Sequence, residues 1–266
     1  METLDITSEV ESIGSFDPDS PRRLETDAHA PTVFLPVEGL IQILAHEMRG
    51  PLAPLGTAAA LLRRCPSDPD CAARVADIVD RQVSTLARLI DDVLDAFRLR
   101  LGHLAIHREV VDLASVVATV VDSTRGFVAS HGHALVTTLP DRSLEVACDP
   151  VRLSQVVQNL VTNAAKYTNR GGTIEVRVEA FLGCAAVTVI DDGIGLSPAD
   201  VDSIFELYGQ AGQSGTLRSE GGLGLGLFLA RRLVEAHGGT LEAFSAGRGR
   251  GSRFVVRLPR PAATMM

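Results

Sequence analysis

The 266-residue chain has no tryptophan, only two tyrosines and four cysteines, and its formal net charge is −8. With so few aromatic side chains there is little surface on which nucleic acid bases could stack. An acidic chain also repels a phosphate backbone, so these absences argue against a nucleic acid partner. The hydrophobic fraction of 45% and the charged fraction of 22% are ordinary for a globular protein, and the length suits two domains.

The sequence shows no secretory signal and no apolar run near the roughly 18 residues that a transmembrane helix needs. The longest candidate, Val110 to Val121, is short and is interrupted by Asp112. Scattered cysteines without a signal favour free thiols in a reducing compartment. We therefore expect a cytoplasmic protein with no membrane span. Cys65 and Cys71 flank a predicted turn, and a redox role for them stays an open alternative.

Residues 1–36 hold eight acidic residues and show no sustained hydrophobic period, which predicts a disordered acidic tail. Residues 261–266 are predicted to be a disordered C-terminus. Cys148 and Cys184 are predicted to lie in or near a core. Between the two tails the hydrophobic period changes near Gly102, where we place the boundary between two domains.

In the first predicted domain, residues 37–102, apolar residues recur at helical spacing in two long segments. The first helix is predicted from Val37 to about Arg64 and the second from about Cys71 to Leu101, with Asp70 as the N-cap of the second. Two amphipathic helices joined by a short turn form an antiparallel hairpin that cannot bury both apolar stripes alone. Dimerisation into a four-helix bundle would bury them.

In the second predicted domain, residues 103–260, short strands and helices do not alternate regularly. This mixture predicts an α+β fold, an α/β sandwich, and not a doubly wound parallel sheet. Strands are predicted near 104–107, 134–139, 173–179, 185–190, 240–244 and 252–258, and helices near 113–130, 150–167 and 225–236.

A histidine lies within the first helix, in the segment H-E-M-R-G-P-L that starts at His46. A neutral imidazole can attack phosphorus, and an adjacent carboxylate that binds the other ring N–H fixes its tautomer. Glu47 is placed for that role. Pro51 and Pro54 predict a bend just after His46, at a cost of about 3 kcal/mol each that some other gain must offset. By itself a helical histidine is more often packed or solvated.

The predicted helix 150–167 carries Asn159, Asn163, Lys166 and Tyr167 on one face. Neutral amides suit Mg²⁺, and a lysine supplies a point charge for phosphate. A polar outer face is the simpler alternative for such a pattern. Lys166 weighs against that alternative because it is the only lysine among 25 basic residues.

Two glycine-rich segments follow. Asp191 ends a predicted strand before Gly193 and Gly195, and its carboxylate can accept a hydrogen bond from an adenine amino group, although the pattern alone fits a turn equally well. Farther on, a G-x-G-x-G segment opens the last helix, where free N–H groups favour phosphate; its glycines are Gly222, Gly224 and Gly226. A dinucleotide fold is disfavoured because a polar loop, and not a strand, precedes this segment.

These segments, with I-F-E at 204–206 and the closing G-R-G-S-R-F-V-V-R-L-P, occur in an order and at spacings that resemble the sensor histidine kinases of two-component systems. That family joins a dimerisation and phosphotransfer hairpin to a GHKL-type ATP-binding domain. The resemblance spans about Val37 to Pro259. It implies ATP and Mg²⁺ as cofactors, autophosphorylation of His46, and transfer of the phosphoryl group to an aspartate of a response-regulator receiver domain.

The resemblance also implies roles for individual residues. Glu47 would assist His46 as the base, and Asn163 would bind Mg²⁺ with Asn159 beside it. Lys166 would face the nucleotide phosphates, Tyr167 would belong to the same nucleotide-binding face, and Asp191 would bind adenine. The remaining positions would shape the site and its lid: Gly193, Gly195, Gly222, Gly224 and Gly226, with Phe205 packed under the lid region.

One position departs from the family pattern. Four residues after the histidine the family usually has Thr or Asn, and this chain has Gly50, which predicts weak phosphatase activity toward the phosphorylated partner. Two other functions stay open: a dimeric phosphotransfer or scaffold protein with an inactive nucleotide domain, and an ATPase of the same superfamily without phosphohistidine. The sequence does not reveal the stimulus, and a separate sensor protein is one possible source of it.

Overall fold

The computed structural model describes residues 37–64, 68–101, 103–181, 183–206 and 224–260. Within these ranges the side chains of 37–43, His46, Glu47 and Arg100 are not described. The two predicted tails and Cys65 lie outside the described residues.

Two long helices form the hairpin: α1 (Val37–Arg64) and α2 (Pro69–Arg100). The predicted N-cap, Asp70, is wrong. Asp68 caps α2 instead, and its Oδ1 accepts from the N–H groups of Asp70 and Cys71 at 3.0 and 3.2 Å. The cap lies earlier because Pro69 has no N–H to be satisfied and suits the first helical position.

Helix α1 continues through both of its prolines, Pro51 and Pro54, and the bend predicted there stays a prediction. Near the turn the two helices share a small core of Ala58, Cys71 and Val75. Within the described ranges, no helix combines the length and the apolar character needed to cross a membrane.

The rest of the described chain forms a mixed α and β domain. In chain order its elements are β1 (Glu109–Asp112), α3 (Leu113–Ser130), β2 (Ala134–Thr138), β3 (Glu145–Cys148), α4 (Pro150–Tyr167), β4 (Thr173–Phe181), β5 (Cys184–Asp191), α5 (Asp200–Ser203), α6 (Gly226–Ala236), β6 (Thr240–Phe244) and β7 (Ser252–Pro259).

Five strands form one sheet in the order β2-β4-β5-β7-β6, in which β2 runs parallel to β4 and the other neighbours are antiparallel. Helices α3, α4 and α6 pack on this sheet, and the three helices share one hydrophobic core with it. A helix layer over a mostly antiparallel sheet is the predicted α+β sandwich, so the predicted fold class is confirmed.

The strand predicted at 104–107 is wrong. Leu104 and Ile106 only pack against the core, while the backbone pairs later, where β1 joins β3 with Glu109 opposite Cys148. A segment can bury alternate apolar side chains without a partner strand, so periodicity alone could not separate the two cases. Cys148 is fully buried and Cys184 partly buried, as predicted.

Candidate active site

Helix α4 carries four of the predicted site residues, and its start is fixed by a buried carboxylate. Asp149 Oδ1 accepts from the N–H groups of Val151 and Arg152 at 3.1 and 3.2 Å, and Oδ2 accepts from His107 N–H at 3.1 Å. Burial alone would raise the pKa of Asp149, but these N–H groups outweigh it and hold the pKa below its ordinary value. The helix therefore begins at a defined place.

One turn after another along α4 come the side chains that the sequence assigned to the nucleotide. Asn159 is buried and its Nδ2 donates to the carbonyl oxygen of Gly226 at 3.4 Å, so α4 meets the first residue of α6 there. Asn163 and Lys166 are half-buried, and Tyr167 is exposed. The helix thus presents a graded face, buried at Asn159 and open to solvent at its end.

Asp191 lies at the end of β5 and is 5% exposed. Its Oδ1 accepts from Gly193 N–H at 2.9 Å, and its Oδ2 accepts from the Ser252 hydroxyl at 2.5 Å. Burial raises the pKa of this carboxyl, and the bonds from Ser252 and Gly193 partly oppose the rise. The carboxylate is held in one orientation, with hydrogen-bond capacity left for a further donor.

The loop after Asp191 passes close to the end of α4. A Cβ added to Gly193 would collide with the carbonyl oxygen of Tyr167, which also accepts from Ile194 N–H at 3.0 Å. Gly195 has φ +64°, and a Cβ there would collide with the carbonyl oxygen of Gly247. Glycine is therefore required at both positions because the protein's own backbone occupies the space of a Cβ, which holds the loop close beside Asp191.

The start of α6 is only partly covered by the described residues. Gly224 has φ +62°, while Gly222 lies outside the described residues together with the rest of 207–223. Phe205 is buried. The ring of Phe254 lies edge-on to it with 6.4 Å between the two centroids, and the Arg231 guanidinium lies 5.1 Å from the Phe205 centroid. Its predicted place under a lid stays a prediction.

The predicted phosphoacceptor segment lies within α1. The backbones of His46 and Glu47 are helical, and their side chains lie outside the described part of the structure. Gly50 is exposed, and a Cβ added there would meet no atom within 4 Å. A larger side chain at position 50 therefore has room.

Sequence reasoning missed Ser252, which fixes the Asp191 carboxylate from the neighbouring strand β7. Its only signal was membership of the closing G-R-G-S-R-F segment. The contact follows from the strand register, because β5 and β7 pair with Asp191 directly opposite Ser252, and this pairing cannot be read from the sequence.

These features define a class: a nucleotide-binding α+β domain attached to a helical hairpin that carries a histidine. A buried acceptor carboxylate beside glycines that exclude any side chain fits an adenine ring. Two family matches agree. Residues 37–102 match the His Kinase A (phospho-acceptor) domain, and residues 148–262 match the histidine kinase-, DNA gyrase B- and HSP90-like ATPase family.

Relatives carry both parts together. The chain is 33% identical over 225 residues to the histidine protein kinase DivJ of Caulobacter vibrioides, which covers 84% of this chain and 37% of DivJ. The chain thus spans well under half of that relative. The histidine kinase AdeS of Acinetobacter baumannii shares the fold, with a TM-score of 0.59, 22% identity, and coverage of 82% of this chain and 98% of that structure.

A second solved structure is the histidine kinase ThkA in complex with the response regulator protein TrrA. Its TM-score is 0.58 at 21% identity, with coverage of 84% of this chain and 61% of that one. The domain matches and the curated relatives place this chain in the sensor histidine kinase family of two-component systems.

Proposed function

We propose that the protein is an ATP-dependent histidine kinase that phosphorylates His46 and passes the phosphoryl group to an aspartate of a response-regulator receiver domain. The observation that carries the proposal is the Asp191 carboxylate, buried and oriented by Gly193 and Ser252 beside a glycine loop, in a domain that follows a phosphoacceptor hairpin. The Asp191 site suits the amino group of a purine, and the same chain carries His46, whose imidazole would be the nucleophile.

Catalysis of phosphoryl transfer consists mainly of alignment and charge neutralisation. Different residues of the chain would have different parts in it. Asp191, Gly193 and Gly195 would hold the base, and Gly222, Gly224 and Gly226 would shape the lid. Asn163 would bind Mg²⁺ with Asn159 beside it, Lys166 would face the phosphates, and Tyr167 would contact the nucleotide. ATP held by these residues would supply the γ-phosphoryl group, and Mg²⁺ bound at Asn163 would neutralise part of its charge.

His46 would act as the nucleophile through one ring nitrogen, with Glu47 binding the N–H of the other. The new nitrogen–phosphorus bond forms as the bond to the bridging oxygen breaks, and ADP leaves. A receiver aspartate would then take the phosphoryl group. The ThkA–TrrA complex, whose fold this chain shares, supports a receiver domain as the partner.

We also propose a homodimer through the hairpin of residues 37–102, followed by an ATP-binding domain of residues 103–260. Support comes from large apolar side chains that are about half exposed on the two helices: Leu52, Leu62, Val83, Ile90 and Leu94. A four-helix bundle would cover such side chains. A separate sensor protein and a cytoplasmic location stay predictions.

Weak phosphatase activity is the last part of the proposal, and Gly50 is its basis, since glycine has no side chain to orient a water. Gly50→Thr should raise the rate of dephosphorylation of the phosphorylated receiver by about tenfold, less than the roughly 100-fold or more of a full acid–base group because the hydroxyl only orients the water. The position has room for the new side chain. Gly56→Thr, at an equally open helical glycine, is the matched control. A wild-type chain already as fast as Gly50→Thr would contradict this part.

The kinase proposal is tested by incubating the protein with γ-labelled ATP and Mg²⁺ beside His46→Gln and Asn163→Ala. Acid-labile, alkali-stable label that is absent from both variants is expected. ATP hydrolysis without label on the chain would favour the superfamily ATPase. Neither hydrolysis nor label would favour the scaffold.

A further inference from the structure

Helix α2 contacts the ATP-binding domain through an apolar cluster. Its buried members are Val93 and Ala96 of α2 with Leu225, Phe228 and Leu229 at the start of α6, and Leu44, Leu89, Phe97 and Leu99 pack around them. Leu44 lies only two residues before His46. The start of α6, which follows the proposed lid, therefore packs on the hairpin close to the turn of α1 that carries His46.

Beside this cluster lies a set of polar side chains that we call the acidic contact: Asp92 and Asp95 of α2 with Arg152 and Gln155 of α4. Asp95 is 1% exposed, and its Oδ2 is 2.5 Å from Arg152 Nη1 and 3.1 Å from Gln155 Nε2. Its other oxygen pairs with Arg98 at 3.2 Å. Asp95 therefore has partners on both oxygens, Arg152 and Gln155 across the contact and Arg98 on its own helix.

Asp92 is buried in the same contact, at 7% exposure, but has weaker partners than Asp95. In the described part of the chain it forms no ion pair within 4.0 Å, and Gln155 Nε2 lies at the outer limit of a hydrogen bond, 3.5 Å from Oδ1. A carboxylate without a partner of opposite charge loses its hydration on burial and gains little in return. Docking thus buries one well-paired carboxylate and one poorly paired carboxylate.

We propose that the acidic contact is a release latch between the hairpin and the ATP-binding domain, in which Asp95 holds the docked arrangement through Arg152 and Asp92 weakens it so that the domain can detach. The inference rests on the proposed function. A receiver aspartate must reach His46 after the ATP-binding domain has used it, so a docked domain has to leave between the two transfers. A permanently satisfied contact would oppose that exchange.

The charges around Asp92 give the latch a pH dependence. Burial raises the pKa of Asp92 to about 6, against the lowering effects of Arg88 and Gln155, while Asp95 and Asp91 raise it further. The α6 side of the contact is apolar, and Arg232 there lies over the Phe228 ring and pairs with Glu235. Because the docked carboxyl binds its proton more tightly than a solvated one, docking strengthens as pH falls through 6 and is weakest above about 7.

The test measures docking directly, by spin-label distances between Val83→Cys on α2 and Val151→Cys on α4, both exposed positions. Cys65 and Cys184 are replaced by Ser, and labelled chains are diluted with unlabelled ones so that only distances within one chain are seen. Asp92→Asn should shift the equilibrium toward the docked distance by about fivefold or more at pH 7.5, and Asp95→Asn should shift it toward release by about tenfold or more. Asp80→Asn, an exposed acid on the same helix, should change nothing.

Lowering the pH from 7.5 to 5 should favour the docked distance by about tenfold in the unmodified contact, and Asp92→Asn should remove this dependence. Shifts in the same direction for Asp92→Asn and Asp95→Asn, or no shift for either, would overturn the latch. Kinase activity is read separately. Opposed shifts without phosphorylation of His46 would support the latch and contradict the kinase proposal. Phosphorylation of His46 without these shifts would support the kinase proposal and contradict the latch.

Discussion

The hairpin and the ATP-binding domain bury their apolar residues to different degrees. In the ATP-binding domain Leu160, Val187 and Leu233 are fully buried in one continuous core. On the hairpin Ile90 is 47% exposed and Leu94 45% exposed. The ATP-binding domain therefore has a complete core of its own, whereas the hairpin leaves an apolar face that a second copy would cover. The hairpin is therefore the part for which we propose a partner chain, while the main core of the ATP-binding domain is complete without one and only the start of α6 packs on the hairpin.

The largest effect on the ATP-binding domain is expected from Gly193→Ala. Its Cβ would collide with the backbone at Tyr167 and with the Asp191 carboxylate, and neither can move without disturbing the proposed adenine site. ATP affinity should fall at least about 100-fold, equivalent to about 2.8 kcal/mol, while the dimer stays intact. Titration calorimetry and sedimentation measure the two quantities.

Gly126→Ala is the matched control, since that glycine lies in α3 with no atom within 4 Å of a Cβ. It should leave ATP affinity unchanged and raise the free energy of unfolding by about 0.5 to 1 kcal/mol through helix propensity. Equal ATP affinity in Gly193→Ala and Gly126→Ala would show that the glycine loop is not the nucleotide site.

On the hairpin, the double change Ile90→Asp with Leu94→Asp should separate the dimer. Each apolar side chain contributes about 1.5 kcal/mol when its burial is completed, so the dimer dissociation constant should rise by about 100-fold or more. Sedimentation equilibrium measures it, and ATP affinity should stay at the wild-type value. A dimer of undiminished affinity would show that these residues lie outside the interface.

A smaller effect compares the helix caps of the two regions. Asp149→Ala removes a buried carboxylate that accepts from the N–H groups of His107, Val151 and Arg152 and should lower the free energy of unfolding by about 2 kcal/mol. Asp68→Ala on the exposed start of α2 should cost only about 0.5 to 1 kcal/mol. Chemical denaturation of both variants measures the difference, and equal costs would contradict the role given to burial.

The effect of Asp149 should depend on pH. Its pKa is lower in the folded chain than in the unfolded chain, so its stabilisation is present above the ordinary carboxyl pKa of about 4 and is lost as pH falls through the lower folded value. The unfolding free energies of wild type and Asp149→Ala should therefore converge in strong acid. A constant difference between the two down to pH 2 would contradict this assignment.

The sequence was enough for most of the fold where a period or a breaker marked the element. Helix α1 and strand β6 have the predicted bounds, and α4 begins at Pro150 as predicted because a proline follows its capping aspartate. It failed where pairing decides. Strand β1 was placed too early and β3 was missed, since each is only four residues long, too short for a hydrophobic period to mark it in the sequence.

The site divides in the same way. Asn159, Asp191 and the described glycines were proposed from local segments, and the structure brings Asn159 to Gly226 and Gly193 to Asp191. Ser252 and the acidic contact were not found. Ser252 reaches Asp191 through sheet register, and Asp92 and Asp95 interrupt an apolar stripe in a way that a solvated helix face would also show. The contacts of these residues depend on long-range packing, which no local spacing in the sequence predicts.

The central claim is that ATP places a phosphoryl group on His46. The most direct measurement incubates the protein with ATP and Mg²⁺, digests it at alkaline pH to preserve phosphohistidine, and locates the modified residue by tandem mass spectrometry. We expect the phosphoryl group on the peptide that contains His46, and none when Asn163→Ala is treated in the same way. A chain that binds ATP yet carries its phosphoryl group on another residue, or carries none, would contradict the claim.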